Sequence, residues 1–382
     1  MDILKEELKG CIRYFEDNTN YIEDSLGYGL TRDKYPLSPN IASISATGYS
    51  LASLVIADSF GLIDSKIAYN RALNSLKTLY NLKNTNGFYY HYLNYYNGER
   101  ELNSEISIID TAILLCGVIC AGEYFKKEVN EYALRVIERV NWNWFLDKKN
   151  NMFYLGYKNK FYGHWDNYAE QLIIYILSAG SKTYPVSKTA YESFNRNQKD
   201  GVIYSWFGSL FTYQYSHAWI NFKGLKDSNN VDWYENSRLA TILNKKYCLS
   251  LNNKTFRLGY WGLSSTITYK RYSQRLGGEP SMCKIKSDGT ISLSSLINSI
   301  IFDDSVKELM FNLKNNYPLS FNKYGFVTSI NLKKNVWYCN EYLGIDKGNT
   351  MLMISNYLDN LVWGLMMKNE CVKNGLNLLN IK

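Results

Sequence analysis

The stretch S-E-I-S-I-I-D-T-A-I-L-L-C-G-V-I-C-A-G-E-Y-F, residues 104–125, decides the fold. It joins a long apolar run to a polar start that carries Ser104, Glu105 and Asp110. Acidic side chains in a first turn interact favourably with the helix dipole, so the stretch predicts an α-helix over residues 104–125. Residues 127–145 predict a second helix that folds back on the first as a hairpin partner.

Helical periodicity continues over most of the chain and predicts about a dozen helices, including residues 38–58, 70–80, 166–179, 231–247 and 349–368. Strand patterns are weak and confined to pieces such as 254–259 and 326–332. Helix pairs of roughly 40–60 residues suggest α-hairpins that close into a toroid or stack in a solenoid. A solenoid should show a sharper repeat, whereas a toroid should carry long aromatic loops, such as residues 87–98. We therefore expect an all-α toroid, and the absence of a Pro/Ser-rich linker predicts one domain over residues 1–382.

Composition excludes several classes of protein. The 382 residues include 43 Lys+Arg and 35 Asp+Glu, and this excess of positive charge is spread along the chain, so no nucleic-acid partner is expected. The 34 Tyr and 9 Trp suit a cleft that binds sugars, although an AT-rich genome would also favour tyrosine codons. No apolar run approaches the roughly 18 residues of a membrane span, so no membrane partner is expected. We expect a monomer.

The pattern of cysteines and histidines predicts neither a metal nor a cofactor. The seven Cys contain no C-x-x-C pair, and none of the three His has a metal-ligand partner at helical spacing. The first residues, MDILKEELKGCIRYF, lack the apolar stretch of a signal peptide. The sequence therefore predicts a cytoplasmic protein, or a secreted or periplasmic one if a signal has been removed.

Four acids stand near predicted helix starts: Glu105, Asp110, Glu170 and Asp346. In a helical toroid these helix ends could gather on one rim. A glycosidase needs such a rim, with one carboxylic acid to protonate the leaving oxygen and one carboxylate to activate water. Acids in first turns are also common simply as dipole partners, which is the alternative for each of the four.

Aromatic and polar residues beside these acids are the candidates for binding substrate. Trp165, Asp166 and Tyr168 precede Glu170, and His217 with Trp219 fit an aromatic platform with a polar edge. A core Trp and a core His are the alternative for that pair. The remaining candidates are Tyr234, Asn236 and Trp261, for which helix capping or core packing is the alternative.

The chain also resembles the bacterial glucoamylase-like family that includes the endo-β-1,2-glucanases. The resemblance rests on residues 38–49, 104–125, 165–181, 210–228, 234–241, 260–265 and 342–354, in the same order as in the family. It implies an (α/α)6 barrel and an endo-acting, inverting hydrolysis of an oligo- or polysaccharide, with β-1,2-glucan the best-supported substrate.

The resemblance implies one residue for the general acid and leaves the base open between two. Glu170 takes the place of the general acid in the W-D-x-Y-x-E segment, and Asp346 or Glu105 is expected to be the base, with Asp110 as a supporting partner. Where many relatives have M-I-E-N-Y, this chain has M-I-S-N-Y, with Ser355 in place of an acid. Two alternatives therefore stay open: a catalytically altered or inactive glycan-binding protein, and a polysaccharide lyase.

Overall fold

The computed structural model describes residues 2–333 and 335–382, and helices dominate them. The α-helices of this described part are α1 (Ile3–Asn18), α2 (Ile44–Ser59), α3 (Ser65–Asn81), α4 (Ile108–Phe125), α5 (Lys127–Glu138), α6 (Leu172–Ala179), α7 (Thr189–Glu192), α8 (Tyr215–Trp219), α9 (Trp233–Ser250), α10 (Lys254–Arg257), α11 (Leu293–Asn298), α12 (Val306–Asn316), α13 (Gly344–Asp359), α14 (Leu361–Met366) and α15 (Glu370–Leu378).

Short strands connect the helices. They are β1 (Thr31–Arg32), β2 (Lys34–Tyr35), β3 (Ile41–Ser43), β4 (Tyr92–Asn94), β5 (Ile106–Ser107), β6 (Leu146–Asp147), β7 (Met152–Lys158), β8 (Lys160–His164), β9 (Gln198–Lys199), β10 (Val202–Ile203), β11 (Thr266–Ile267), β12 (Tyr272–Ser273), β13 (Thr290–Ser292), β14 (Phe321–Asn322), β15 (Gly325–Phe326), β16 (Ser329–Asn331), β17 (Trp337–Tyr338) and β18 (Tyr342–Leu343). The fold is thus mainly helical, as predicted, but it carries more strands than the sequence pattern indicated.

Two compact units divide the chain. The first unit contains Met1–Tyr14, Asn167–Glu170 and Asn195–Asp359, and the second contains Phe15–Asp166, Gln171–Phe194 and Asn360–Lys382. The prediction of one domain over residues 1–382 stays a prediction.

In the second unit, α2 packs closely against α4 because two glycines lie at their contact. A Cβ atom on Gly48 would lie 2.6 Å from the Cα atom of Leu114, and a Cβ atom on Gly117 would collide with the main chain at Gly48. Both helices are buried nearly all round, as expected for helices in the interior of a protein. Antiparallel sheets β1-β3-β4 and β5-β7-β6, with β8 beside β7, lie at the start of these two helices.

In the first unit, α13 packs against α11 and α8. The Asn356 side chain on α13 donates a hydrogen bond of 2.8 Å to the carbonyl oxygen of Ala218 on α8. The antiparallel sheet β13-β16-β17 and three two-residue hairpins cover this part of the chain. Because α13 is buried over most of its length, its first turn is held in a fixed place.

Several element boundaries differ from the prediction. The helix predicted over 38–58 begins at Ile44, because residues 41–43 pair as β3 and Ser43 caps α2 by accepting from the Ala46 N–H at 3.2 Å. The helix predicted over 127–145 ends at Glu138. The strand predicted over 254–259 is instead the short helix α10. Long-range strand pairing and the Ser43 cap set the start of α2, and neither is visible in local periodicity.

Helix α4 corrects the expectation that no apolar run approaches the length of a membrane span. Its 18 residues, Ile108–Phe125, have a mean hydropathy of 1.7 and pass the length and composition test for a span. Inside this structure 78% of the helix is buried, as in the core helix of a folded domain.

Candidate active site

His91 connects the starts of α2 and α4. Its main-chain N–H donates to the carbonyl oxygen of Glu105 at 2.9 Å, and its own carbonyl oxygen accepts from the N–H of Ile44 at 3.1 Å. The ring stacks on Tyr92, with 3.8 Å between ring centroids and 17° between planes. Main chain and ring are therefore both held, and the orientation of the imidazole is fixed.

Both nitrogens of the His91 ring face carboxylates. Nδ1 lies 2.9 Å from Oε1 of Glu105, and Nε2 lies 3.7 Å from Oδ1 of Asp110. The His91 and Glu105 side chains are 24% and 27% exposed, so solvent reaches the pair. Asp110 is more buried, and its Oδ2 accepts a hydrogen bond of 2.6 Å from the Ser107 hydroxyl, which in turn caps α4 by accepting from the Asp110 N–H. We name His91, Glu105 and Asp110 the histidine–carboxylate cluster.

Two further side chains face this cluster. The Asp33 carboxylate, between β1 and β2, interacts electrostatically with His91 and Asp110 and hydrogen bonds to Ser43. Tyr162 on β8 interacts with Glu105 and Asp110. It fits there because its partner in the strand register is Gly156, where a Cβ atom would collide with the tyrosine ring.

The electrostatics of the cluster favour a charged histidine. Burial alone would lower the pKa of His91, but Asp110, Glu105 and Asp33 together raise it from 6.5 to about 9. The hydrogen bond from His91, helped by Lys158, holds the pKa of the Glu105 carboxyl below its usual value. Burial raises the pKa of Asp33, an effect that His91 partly offsets. These charges favour the imidazolium form of His91 and the ionised form of Glu105.

The same three side chains have the composition of a cation site when the His91 ring is neutral, because a doubly protonated ring has no lone pair for a metal. One ligand atom from each of His91, Glu105 and Asp110 lies within 4.8 Å of the others. The sequence predicted no metal because the three residues are not at helical spacing, and the fold alone brings them together.

Glu170 lies in the first unit, immediately before α6. The helix predicted from residue 166 begins at Leu172 with Gln171 as the N-cap, so Glu170 precedes the helix and is not in its first turn. The main-chain carbonyl oxygen of Glu170 accepts a hydrogen bond of 2.6 Å from the Ser216 hydroxyl. The side chain is half-buried, and it acts electrostatically on Tyr168.

Asp346 was expected near a helix start, and it lies in the first turn of α13, which begins at Gly344 and not at residue 349 as predicted. Its main chain is anchored. The Ser294 hydroxyl donates to the Asp346 carbonyl oxygen at 3.1 Å. The next residue, Lys347, is buried and forms an ion pair of 2.9 Å with Glu7 on α1, and it also donates to the carbonyl oxygen of Phe326 at 2.6 Å. A cavity of about 10 Å³, room for about one water molecule, is lined by Asp346, Lys347 and Glu7.

Most of the predicted substrate-binding residues are buried. Trp165, Tyr168, His217, Trp219, Asn236 and Trp261 are at most 8% exposed, whereas Asp166 and Tyr234 are half-buried. Their contact with a sugar stays a prediction.

The contacts of these residues are those of core side chains. Burial lowers the pKa of His217 to about 3, and its Nε2 lies 2.8 Å from the Ser237 hydroxyl oxygen. Both ends of the Asn236 amide bind the main chain of Ile203. The Tyr234 hydroxyl donates to the Ile301 carbonyl oxygen at 2.6 Å.

Sequence reasoning missed Asp33, His91 and Tyr162. His91 lies inside the aromatic loop of residues 87–98. The sequence excluded it as a metal ligand because no second ligand stands at helical spacing from it. Asp33 carries no motif. The β3–β4 and β7–β8 pairings bring these residues to Glu105 and Asp110, and the sequence pattern predicted none of those strands.

Comparison with known proteins identifies relatives over the whole chain. An exo β-1,2-glucooligosaccharide sophorohydrolase (non-reducing end) of Parabacteroides distasonis is 22% identical over 406 residues, covering 91% of this chain and 54% of that protein. The chain thus spans about half the length of this curated relative.

Solved structures show the same fold. A "putative glucoamylase" of Bacteroides uniformis has a TM-score of 0.87 and 23% identity, covering 100% of this chain and 97% of that one. The endo-β-1,2-glucanase of Chitinophaga pinensis, in complex with sophorotriose and glucose, has a TM-score of 0.86 and 23% identity, covering 100% of this chain and 98% of that one.

A family model supplies the classification. The model of the Glycoamylase family, described as "Putative glucoamylase", matches residues 162–370, which is more than half of the chain. The resemblance recognised in the sequence is thereby confirmed, and the chain belongs to this glucoamylase-like family.

Proposed function

We propose that the chain is a glycoside hydrolase that cleaves β-1,2-glucan, acting within the polymer and inverting the anomeric configuration. The observation that supports β-1,2-glucan as the substrate is the alignment, over 91% of the chain, with a sophorohydrolase of β-1,2-glucooligosaccharides. The fold shared with an endo-β-1,2-glucanase supports the same linkage. The solvent-accessible carboxylate of Glu105, whose pKa is lowered by the hydrogen bond to His91, supports acid–base chemistry on a neutral substrate.

We propose the (α/α)6 toroid as the architecture. Six helices of the described part are buried over most or all of their length: α2, α4 and α6 in the second unit, and α8, α11 and α13 in the first. Buried helices of this kind suit the inner ring of such a toroid, while α3, α5, α9 and α12 keep an exposed face.

The proposed mechanism uses two carboxyl groups. Glu170, in protonated form, gives its proton to the glycosidic oxygen as the bond to the anomeric carbon breaks. Asp346 or Glu105, in ionised form, takes a proton from a water molecule that attacks the opposite face of the same carbon. Both Glu170 and Asp346 have an anchored main chain, which keeps a catalytic carboxyl in place.

The test is incubation with β-1,2-glucan, with other glucans and with uronic polymers. The proposal expects new reducing ends from β-1,2-glucan, a falling viscosity that marks endo action, and no ultraviolet absorbance from unsaturated uronates. Release of sophorose without a fall in viscosity would replace endo with exo action. Absence of new reducing ends from every glucan would refute the proposal, and the ultraviolet absorbance would indicate a lyase.

A second candidate function is glycan binding without cleavage, which Ser355 favours. This residue stands where many relatives carry an acid, and in α13 it is fully buried, with its hydroxyl donating to Oδ1 of Asp359 at 3.4 Å. Calorimetry with β-1,2-glucan separates the two functions, because binding without any new reducing ends is the outcome that supports this candidate.

A further inference from the structure

Tyr162 on β8 keeps both its ring and its hydroxyl available to a ligand. The residue is 42% exposed. Within residues 2–333 and 335–382 it stacks on no other ring, and its hydroxyl has no hydrogen-bond partner. Tyr92 and Tyr234 provide a contrast, since the first stacks on His91 and the second donates to a main-chain carbonyl oxygen. An aromatic side chain that is exposed and has no partner is therefore left beside the candidate site.

A glycine determines where the Tyr162 ring lies. Strand β7 runs between β5 and β8, and Gly156 on β7 is paired with Ser107 on one side and with Tyr162 on the other. A Cβ atom on Gly156 would lie 2.8 Å from Cζ of Tyr162 and would collide with the hydroxyl. The phenol thus occupies the space above Gly156, and it reaches from β8 across β7 in the direction of Ser107.

Ser107 connects this ring to the carboxylates of the histidine–carboxylate cluster. Its hydroxyl donates a hydrogen bond of 2.6 Å to Oδ2 of Asp110, and Glu105 lies two residues before it. The electrostatic interaction of Tyr162 with Glu105 and Asp110 agrees with this placement. Tyr162 is therefore part of the wall of the candidate site, on the side formed by the β7–β8 hairpin.

The chemistry of an exposed tyrosine suits a sugar. A tyrosine offers a rigid apolar ring and a hydroxyl that can donate or accept a hydrogen bond, and a sugar has apolar C–H groups between its hydroxyls. Because β7 is paired on both sides, the hairpin holds the ring on a regular sheet. Trp219 and Trp261, expected from the sequence as platforms, are fully buried, whereas Tyr162 is open to solvent.

We propose that Tyr162 is a specificity-determining residue: a glucose unit bound beside Glu105 packs against the Tyr162 ring and hydrogen bonds to its hydroxyl. Gly156 is a positioning residue, because the absence of a side chain there leaves the space that the ring occupies. The identity of the sugar rests on the proposed function. Neither residue transfers a proton in the reaction.

Kinetics on β-1,2-glucan test the contact, with Tyr184→Ala as a matched control because Tyr184 is 41% exposed in the loop that follows α6. We expect KM to rise about 10-fold in Tyr162→Ala, which loses ring and hydroxyl, while kcat changes little. In Tyr162→Phe, which loses only the hydroxyl, KM should rise about 3-fold. Tyr184→Ala should keep the wild-type KM.

A double-variant cycle tests the part assigned to Gly156. Gly156→Ala should raise KM as Tyr162→Ala does, because the new methyl group displaces the ring. In the double variant Gly156→Ala, Tyr162→Ala, KM should rise no further, since the displaced ring is already missing. Additive increases in KM would show that Gly156 does not act through Tyr162. If Gly156→Ala does not fold, the Tyr162 variants decide the proposal.

The outcomes separate this proposal from the proposed function. An unchanged KM in Tyr162→Ala, on a glucan that the wild type cleaves, overturns the contact and leaves the hydrolase standing. A fall in kcat alone also overturns it, because a binding residue should act on KM. If the wild type cleaves no glucan, the proposed function fails, and calorimetry with sophorotriose replaces KM. Weaker binding in Tyr162→Ala than in wild type then supports the contact, whereas equal binding, or none in either protein, overturns it.

Discussion

His91 and Glu105 are joined twice: the main-chain N–H of His91 donates to the carbonyl oxygen of Glu105 at 2.9 Å, and the ring Nδ1 lies 2.9 Å from the Glu105 carboxylate. The loop that carries His91 is thereby attached to the segment leading into α4. The charge state of the His91 ring and the position of the Glu105 carboxylate depend on the same contact. Both can therefore be tested by varying the pH and by substituting His91.

The first prediction concerns stability against pH. The pKa of His91 is raised from 6.5 to about 9, so between these values the folded protein holds a proton that the unfolded chain has lost. The stabilisation from the charged ring is therefore complete below about pH 6.5 and is lost as pH rises through about 9. We expect the difference in free energy of unfolding between wild type and His91→Gln, measured with urea, to shrink over this interval. A difference that stays constant from pH 6.5 to 9 would contradict it.

The second prediction concerns the general acid. Glu170→Gln removes a proton donor but keeps the shape of the side chain, so kcat on β-1,2-glucan should fall by about two to four orders of magnitude while binding stays nearly intact. Glu192→Gln is the control, since Glu192 pairs with Lys188 on the surface at 3.2 Å. A loss of only a few-fold in Glu170→Gln would show that Glu170 is a structural residue.

The third prediction concerns the buried pair below the first turn of α13. Lys347→Met leaves Glu7 buried without its cation, and breaking a buried pair from one side costs about 3–5 kcal/mol. The double variant Lys347→Met, Glu7→Gln should recover part of that loss, because no uncompensated charge remains. Urea unfolding of the four proteins in this cycle measures the coupling. Strictly additive losses would mean that the two side chains do not act as a pair.

Helix positions that depend on apolar periodicity and on residues at a helix start could be predicted from the sequence. The apolar run of residues 104–125 is visible in periodicity and forms α4, although the helix begins at Ile108 and leaves Glu105 before it. Asp346 was expected near a helix start, and it lies in the first turn of α13. Glu170 shows the limit, since the helix predicted from residue 166 begins at Leu172 and therefore leaves Glu170 before its first turn. Boundaries depend on which residue caps the first turn, and several polar residues compete for that place.

The histidine–carboxylate cluster could not be predicted in the same way. His91 and Glu105 are 14 residues apart, and their contact depends on strands of two or three residues whose pairing is a long-range property. The burial of Trp219 and Trp261 is similarly a result of packing, and the sequence alone left platform and core as equal alternatives. Chemistry-bearing residue types can thus be recognised in the sequence, whereas their partners are determined by the fold.

The measurement that tests the account most directly is ¹H NMR of β-1,2-glucan in the first seconds after the enzyme is added. Inversion requires a water molecule between the base and the anomeric carbon, so the first product must carry the α configuration and mutarotate afterwards. We predict new α-anomeric signals that precede the β signals. Product that first appears as the β anomer would contradict the inverting mechanism and the role of Asp346 or Glu105 as base, and no new anomeric signals at all would contradict hydrolysis of β-1,2-glucan itself.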